Sequence, residues 1–226
     1  MISRPMLAVI GGTGALGTGL AWRLARAGHR VILGSRSAEK AENAASQIRS
    51  RLNGEADIRA MGNAQAAAAA DIIFVAVPFA SHNAILAEIR GAAGGKIVVD
   101  ATVPLLPPKV ATFQPPPEGS AGLASQAMLG EGITVVSALQ NVAAHKLNEN
   151  HEIDCDVLVC ADVPAARQQV IDIIESIGLR GLHAGGLANS VAAEALTSIL
   201  IGINKRYKAD GAGVRITGEL VSPGPA

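Results

Sequence analysis

The stretch LAVIGGTGALGTGLAWRLARAGHRVILGSRSAEKA, residues 7–41, decides the fold. It opens with a short apolar run, Leu7 to Ile10, that reads as a first strand and ends in glycines. Gly12-Thr13-Gly14-Ala15-Leu16-Gly17 then forms a GxGxxG pattern. Alone that pattern is weak, but here it follows a strand and opens a helix, the context in which it cradles a dinucleotide. Gly12 is expected to permit the tight turn, Gly14 to admit the pyrophosphate to the backbone, and Gly17 to let helix and strand pack closely. The free N–H groups of a helix start supply positive potential for the phosphates. Leu16, Leu20, Leu24 and Ala27 keep helical spacing, and Gly28 stands as the C-terminal stop.

The second strand, Val31 to Leu33, runs into Gly34-Ser35-Arg36-Ser37. Sites that prefer NAD carry Asp or Glu at this point, some 20 residues past the first glycines, to bond the ribose 2′-hydroxyl. No acid occurs here before Glu39. Ser35 and Arg36 can instead donate to a 2′-phosphate, and Lys40 adds charge one turn into the next helix. One charge-assisted hydrogen bond contributes about 1.5–3 kcal/mol, enough to favour NADP by roughly ten- to a hundredfold. The expected cofactor is NADP(H).

Outward from this segment the chain alternates strands and helices. Ala38–Leu52 is rich in good helix formers. Ile58–Met61 suits a short strand and Ala64–Ala70 an alanine helix. IIFVAV (72–77) and KIVVD (96–100) are continuous apolar runs of the kind found in parallel strands covered on both faces. Helices are expected at 81–93 and 122–129, and a strand at 133–139. Between Val103 and Pro117 six prolines forbid regular structure, although the segment is apolar enough to pack on something. Further on come DVLVCA as a strand, a helix at 165–177, LRGLHAG as a strand, and a long apolar helix over 187–207 closed by Lys205, Arg206 and Lys208. The order predicts an α/β fold: a Rossmann-type doubly wound parallel sheet over residues 1–145, then a small C-terminal α/β domain over 146–226.

Composition narrows the function. Of 226 residues, 19 are basic and 19 acidic, so the formal charge is zero and no basic block offers itself to nucleic acid. No uninterrupted apolar run approaches the roughly 18–20 residues of a membrane span, and residues 1–6 lead into a strand without a signal-peptide core. Cys155 and Cys160 lie an odd number of residues apart in an apparent strand, point to opposite faces, and read as ordinary buried thiols, which suits a reducing cytoplasm. The final helix is apolar around most of its circumference, which suggests a homodimer.

The search for acid–base or metal machinery returns no catalytic residue and no metal site: HExxH, CxxC and GxSxG are all absent. His29 reads as a helix-end residue. His82, near the end of the fourth strand, reads as a surface residue within reach of the site, and His145, His151 and His183 as bland. Direct hydride transfer needs no such machinery, only two carbons held in near contact in a dry slot.

Residues 11–41, DIIFVAVPF, KIVVDATVPL, VVSAL followed by NVAA, and LHAGGLANSVAAEALTSILIGINKRY together resemble the NADPH-dependent coenzyme F420 reductases. The resemblance implies a Rossmann domain and a small second domain with the deazaflavin coenzyme F420 held between them. It implies that Thr13 to Leu16 surround the pyrophosphate and nicotinamide ribose, and that Ser35, Arg36 and Lys40 grip the 2′-phosphate. It places Val77, Pro78, Phe79, Leu105 and Ala144 around the nicotinamide and deazaflavin rings, with Gln140, Asn141 and Asn189 on the acceptor side. Family members carry His where Gln140 stands, and Gln can hydrogen-bond a ring carbonyl but cannot carry charge. Two alternatives follow: a reductase of the same architecture acting on a flavin, a pterin or a cyclic imine, or a non-catalytic NADP sensor.

Overall fold

The computed structural model describes residues 4–221. Residues 1–3, the start of the lead-in to the first strand, and residues 222–226 at the end of the expected second domain lie outside the described residues. Six strands, β1 (Met6–Ile10), β2 (Arg30–Ser35), β3 (Ile58–Gly62), β4 (Ile72–Val75), β5 (Ile97–Asp100) and β6 (Thr134–Ser137), form one sheet in the order β3-β2-β1-β4-β5-β6. Every pairing is parallel. The order reverses between β1 and β4, and ligands of open α/β sheets bind at the carboxyl ends of strands beside such a switch point. The register pairs Ile10 with Gly34 and Val75, Ser35 with Gly62, and Asp100 with Val75 and Ser137. One edge therefore collects the ends of all six strands.

Helices α1 (Ala15–Arg26), α2 (Ala38–Arg51), α3 (Asn63–Ala69), α4 (Phe79–Arg90) and α5 (Ala121–Leu129) cover the two faces. The apolar run 72–77 does not stay a strand to its end: β4 stops at Val75, and α4 begins at Phe79, two residues earlier than the helical pattern suggested. Pro78, with φ −59° and ψ 143°, is its N-cap. The alanines of α3 lack bulk, so it settles close to the sheet, where a Cβ on Gly34 would lie 3.3 Å from Ala66 Cβ. Small residues thus replace the missing aromatics as the means of close packing.

The proline segment has no helix or strand. Its first part packs as expected, with Pro104 buried and Leu105 and Leu106 half-buried, but residues 107–112 stand exposed. Gln114 folds the loop back on itself, its N–H donating to Pro104 O at 2.9 Å and its amide to Leu106 O at 3.0 Å. Local hydrogen bonds, not burial, shape the tip.

After a short helix that periodicity did not reveal, α6 (Ala144–Leu147), β7 (Asp156–Val159) and β8 (Arg180–His183) pair in parallel, with α7 (Pro164–Ser176) between them. An antiparallel bridge between Ser137 and Cys160 ties this small sheet to β6. One hydrophobic cluster runs from Leu20 and Leu33 through Val136 to Val157 and Ile171, so the second layer shares the core of the first. The final helix begins as a 3-10 turn, Leu187–Asn189, and continues as α8 (Ser190–Tyr207).

Within Leu187–Tyr207 an 18-residue window reaches a mean hydropathy of 1.3, enough by length and composition alone to cross a membrane, although polar residues interrupt every apolar run. The count of consecutive apolar residues missed this because hydropathy averages over interruptions. Ser190 and Glu194 dock the helix by polar contacts to residues 120–122 at the start of α5. Beyond α8 the chain turns back over β7, where Asp156 carboxylate oxygens accept from Arg180 and from Ile216 N–H.

Arg23, in α1 and only 5% exposed, joins the two layers. Its guanidinium donates to the carbonyls of Lys146, Leu147, Glu149, His151 and Ile177. These carbonyls lie at helix ends and in the loop after α6, where the intrahelical ladder runs out, and Lys146 O additionally accepts from Glu149 N–H at 3.3 Å. His29, beyond the end of α1, likewise bonds Ser176 Oγ at 2.8 Å and is buried. Replacing Arg23 with Met keeps much of the packing but strands these acceptors, and we expect a loss of roughly 3 kcal/mol. Urea melts should show a lower midpoint with an unchanged slope. A loss below about 1 kcal/mol would mean that water satisfies the carbonyls equally well.

Candidate functional site

The turn after β1 is built on close approaches. Gly11 has φ +79°, a left-handed conformation that a side chain would strain, and a Cβ there would lie 2.5 Å from Ala76 O. The tight turn therefore falls at Gly11, one residue before the expected Gly12. Gly12 is required for another reason: a Cβ would lie 2.9 Å from Val9 O and strike the Leu33 side chain. At Gly17 a Cβ would meet the backbone of Gly11 and Gly12, the helix–strand contact expected of it. Gly14 differs from all three. Its only neighbour would be Gly11 O at 3.4 Å, so the space above the start of α1 is open. Ala15 to Gly17 are the first residues of that helix, and their N–H groups have no acceptor one turn back.

A cleft of about 380 Å³ lies against this turn, lined by Gly11, Thr13, Gly14, Ser35, Arg36, Ser37, Lys40, Asn63, Ala76, Val77, Pro78, Ser81 and Ile85. The volume suits a small-molecule site. None of these residues is acidic, and Arg36 and Lys40 are exposed. Ser35 Oγ accepts from Ser37 N–H at 3.2 Å, which leaves its own proton to donate. Ser37 caps α2 by accepting from Lys40 N–H at 3.3 Å. Glycine cradle, cationic rim and open helix start together fit a dinucleotide carrying an extra phosphate on its ribose. A larger cavity, about 500 Å³, lies at the far end of α1 among Arg23, Arg26, His151 and Gly178. It is remote from the strands' carboxyl ends, and Arg23 is already engaged by carbonyls, so the smaller cleft is the candidate site.

The structure thus brings Thr13, Gly14, Ser35, Arg36, Lys40, Val77 and Pro78 to one cleft. Gly12, Ala15, Leu16 and Gly17 form the turn and helix start behind it. Phe79, Leu105, Ala144, Gln140, Asn141 and Asn189 do not line it. Ala144 is nonetheless tied to the glycine turn, because Asn148 donates to both Ala15 O (3.1 Å) and Ala144 O (2.9 Å). Asn189 donates to Ala184 O at 2.7 Å. Asn141 is buried and accepts from Thr197. Gln140 is buried too, and its amide nitrogen donates to Asp100 O at 2.9 Å and Ser137 Oγ at 2.7 Å. Both amide hydrogens are committed within the protein, so the ring-carbonyl bond expected of this amide has no hydrogen left to make it.

Sequence reasoning missed Gly11, Ser37, Asn63, Ala76, Ser81 and Ile85 in the cleft. Ser37 could have been found as an N-cap before a helix with Glu39 in its first turn. Asn63 could not, since only the pairing of Ser35 with Gly62 carries it to the cleft. His82 is the larger surprise. It is not a surface residue but fully buried, with Nε2 2.7 Å from Asp100 Oδ2 and 3.0 Å from Ser125 Oγ. Burial works against charge on the imidazole, but the Asp100 carboxylate outweighs it and holds the His82 pKa above its ordinary value. Burial would likewise raise Asp100, yet the bonds from His82 and Ser125 keep it below the usual carboxylate range. No group of three or more His, Cys, Asp or Glu among the described residues could hold a metal ion. The two cysteines are free and buried, and desolvation pushes the Cys160 thiol up to about 11.

The fold and cleft define a dinucleotide-binding α/β protein. A family model described as "NADP oxidoreductase coenzyme F420-dependent" matches residues 6–104. The chain is 39% identical to the F420-dependent NADP reductase of Methanocaldococcus jannaschii over 93% of its length and 97% of the relative's. It is 41% identical to that of Methanothermobacter thermautotrophicus over 93% and 94%. A crystal structure from Arthrobacter sp. FB24, assigned to the F420-dependent NADP reductases, superposes with a TM-score of 0.80 at 26% identity, covering 95% of this chain and all of that one. The chain belongs to the F420-dependent NADP reductase family.

Glu194 of α8 accepts from the Ala121 and Gly122 N–H groups at 2.7 and 3.0 Å, capping α5 from a distance. Desolvation raises its pKa to about 7 against these bonds. Between pH 4.5 and 7 the folded protein therefore binds more protons at this residue than the unfolded chain does, and stability falls as pH rises through that window. The shift corresponds to roughly 3 kcal/mol. Glu194→Gln should remove that slope from urea-derived stability measured between pH 4.5 and 8, and identical slopes in both proteins would refute the assignment.

Proposed function

We propose that this chain is an NADP-dependent oxidoreductase that transfers a hydride between NADP(H) and the deazaflavin coenzyme F420. The observation that carries the reading is the cleft, in which a glycine cradle, the Ser35 hydroxyl and the cationic rim of Arg36 and Lys40 meet with no acid among the lining residues. Nicotinamide and deazaflavin supply the donor and acceptor carbons when bound. The protein binds, orients and excludes water. Gly14 and the start of α1 receive the pyrophosphate, and Ser35 and Arg36 donate to the 2′-phosphate. Val77, Pro78 and Phe79, with Leu105 and Ala144, wall the slot, while Gln140, Asn141 and Asn189 stand on its acceptor side. The hydride carries both electrons and one hydrogen directly between the two carbons, and the second hydrogen of the reduced deazaflavin is a proton taken up from solvent.

In this reading the chain divides near residue 145 into a cofactor domain (1–145) and a smaller acceptor and dimer domain (146–226). Buried free thiols fit a reducing cytoplasm, and the neutral overall charge fits small-molecule partners, not nucleic acid or a membrane surface. Val191, Ile199, Ile203 and Tyr207 recur at multiples of four along α8 and stand exposed, Ile199 by 57% and Tyr207 by 75%. That stripe suits a second copy of the chain. Ile199→Glu should convert a dimer to a 22.9 kDa monomer in light scattering; a wild-type monomer would remove the dimer from the account.

Oxidised F420 should lose its absorbance when mixed with NADPH and the protein. Arg36→Ala should weaken NADP binding by roughly ten- to a hundredfold in calorimetry while leaving NAD binding unchanged. Equal losses for the two nucleotides would refute the phosphate grip. A second reading, the same reductase chemistry on a flavin, pterin or cyclic imine, is favoured by Gln140, whose amide hydrogens are already committed. Turnover with one of these and none with F420 would establish it. Tight NADPH binding without turnover on any acceptor would instead mark a sensor.

A further inference from the structure

Beneath the proposed slot lies a buried polar hub that hydride transfer itself does not call for. Asp100 ends β5, is fully buried, and engages four groups from four segments. Its Oδ2 takes His82 Nε2 from α4 at 2.7 Å and the Ser125 hydroxyl from α5. Its Oδ1 accepts from Thr102 N–H at 2.9 Å, which turns the chain toward Val103–Leu106. Its backbone carbonyl accepts from Gln140 at 2.9 Å. The His82 ring in turn stacks on Phe79, with centroids 5.7 Å apart and planes 30° from parallel. Three groups assigned to the slot thus radiate from one residue pair: Phe79 through His82, the Leu105 segment through Thr102, and Gln140 through the Asp100 carbonyl.

Such a hub is costly to bury unless every bond is made. An apolar core of the same volume would fold as well, so its cost needs a return. His82 and Asp100 are both inaccessible to solvent and neither lines the cleft, which rules out contact with the reacting atoms as that return.

We propose that His82 and Asp100 are positioning residues of the hydride-transfer slot, holding Phe79, the Leu105 segment and Gln140 in register as one rigid wall. The proposal rests on the slot assigned above. A misplacement of about an ångström at a hydride-transfer centre costs on the order of a hundredfold in rate, with little effect on binding elsewhere. The nucleotide phosphates sit on the other side of the switch point, at Gly14, Ser35 and Arg36, and should not sense the hub.

The test compares wild type, His82→Ala and His82→Gln. A Gln at this position can donate its amide to Asp100 much as the imidazole nitrogen does. In steady-state and single-turnover assays with NADPH, 4-deuterated NADPH and F420, His82→Ala should lose tenfold or more in kcat and in hydride-transfer rate. Its KM for NADPH and its calorimetric NADP affinity should stay within threefold, and His82→Gln should recover most of the loss. Amide hydrogen exchange, read without any acceptor, should speed up tenfold or more at Thr102–Leu106 and Leu139–Asn141 in His82→Ala and remain unchanged in β1 and β2. Should His82→Ala fail to fold, Ser125→Ala, which removes a donor to the same carboxylate oxygen, carries the same measurements. Unchanged exchange in these segments overturns the proposal whether or not F420 is the acceptor. Faster exchange with an unaltered kcat overturns it as well. Loss of F420 turnover in the wild type itself, with the exchange pattern as expected, would instead refute the acceptor assignment and leave the hub's role in the wall standing.

Discussion

The close approach of α1 to the end of β1 is the constraint on which the rest of this molecule depends. Gly17 has no Cβ, so the first turn of α1 can rest on the backbone of Gly11 and Gly12, and Gly11 takes a left-handed turn against Ala76. With that contact made, the helix start points its free N–H groups into the space beside the switch point. Without it, α1 would be pushed away and its free N–H groups would leave that space. Sheet order and register then decide what else reaches the same space. Ser35 and Arg36 arrive from β2, Asn63 from the start of α3, and Val77 and Pro78 from the end of β4.

Polar groups buried between elements do a second kind of work. Arg23 satisfies carbonyls at the ends of α6 and α7, Glu194 caps α5 from α8, and Asp100 gathers α4, α5 and the Gln140 turn. Each joins segments far apart in the chain and satisfies backbone groups that would otherwise be orphaned in a core of small aliphatic side chains. Such bonds are directional. They fix relative placement where apolar contacts, which slide at little cost, would not.

The glycine-turn half of the candidate site was readable because its determinants are local. Strand, glycine turn and helix follow within 20 residues, and the absence of an acid after β2 is a statement about neighbours in sequence. The other half was not. His82 gave no sign of its burial, since its own helix carries a mixed pattern and its partner stands 18 residues away on a different element. Gln140 could be singled out, but not the commitment of its amide to Asp100 and Ser137. The exposed tip of the proline loop likewise contradicted its apolar composition, because backbone and Gln114 hydrogen bonds could hold it without a core.

By itself, then, the order of residues determined a doubly wound parallel sheet, a glycine turn at the start of α1 and an acid-free stretch at the end of β2. Periodicity and turn chemistry are short-range, and they survive in the linear chain. Only the tertiary structure decided that the turn falls at Gly11, that His82 and Asp100 share a buried hub, and that Arg23 joins the two layers. Those features depend on which strand ends lie side by side and on which buried donors must find acceptors, and neither is fixed until the sheet has closed its register.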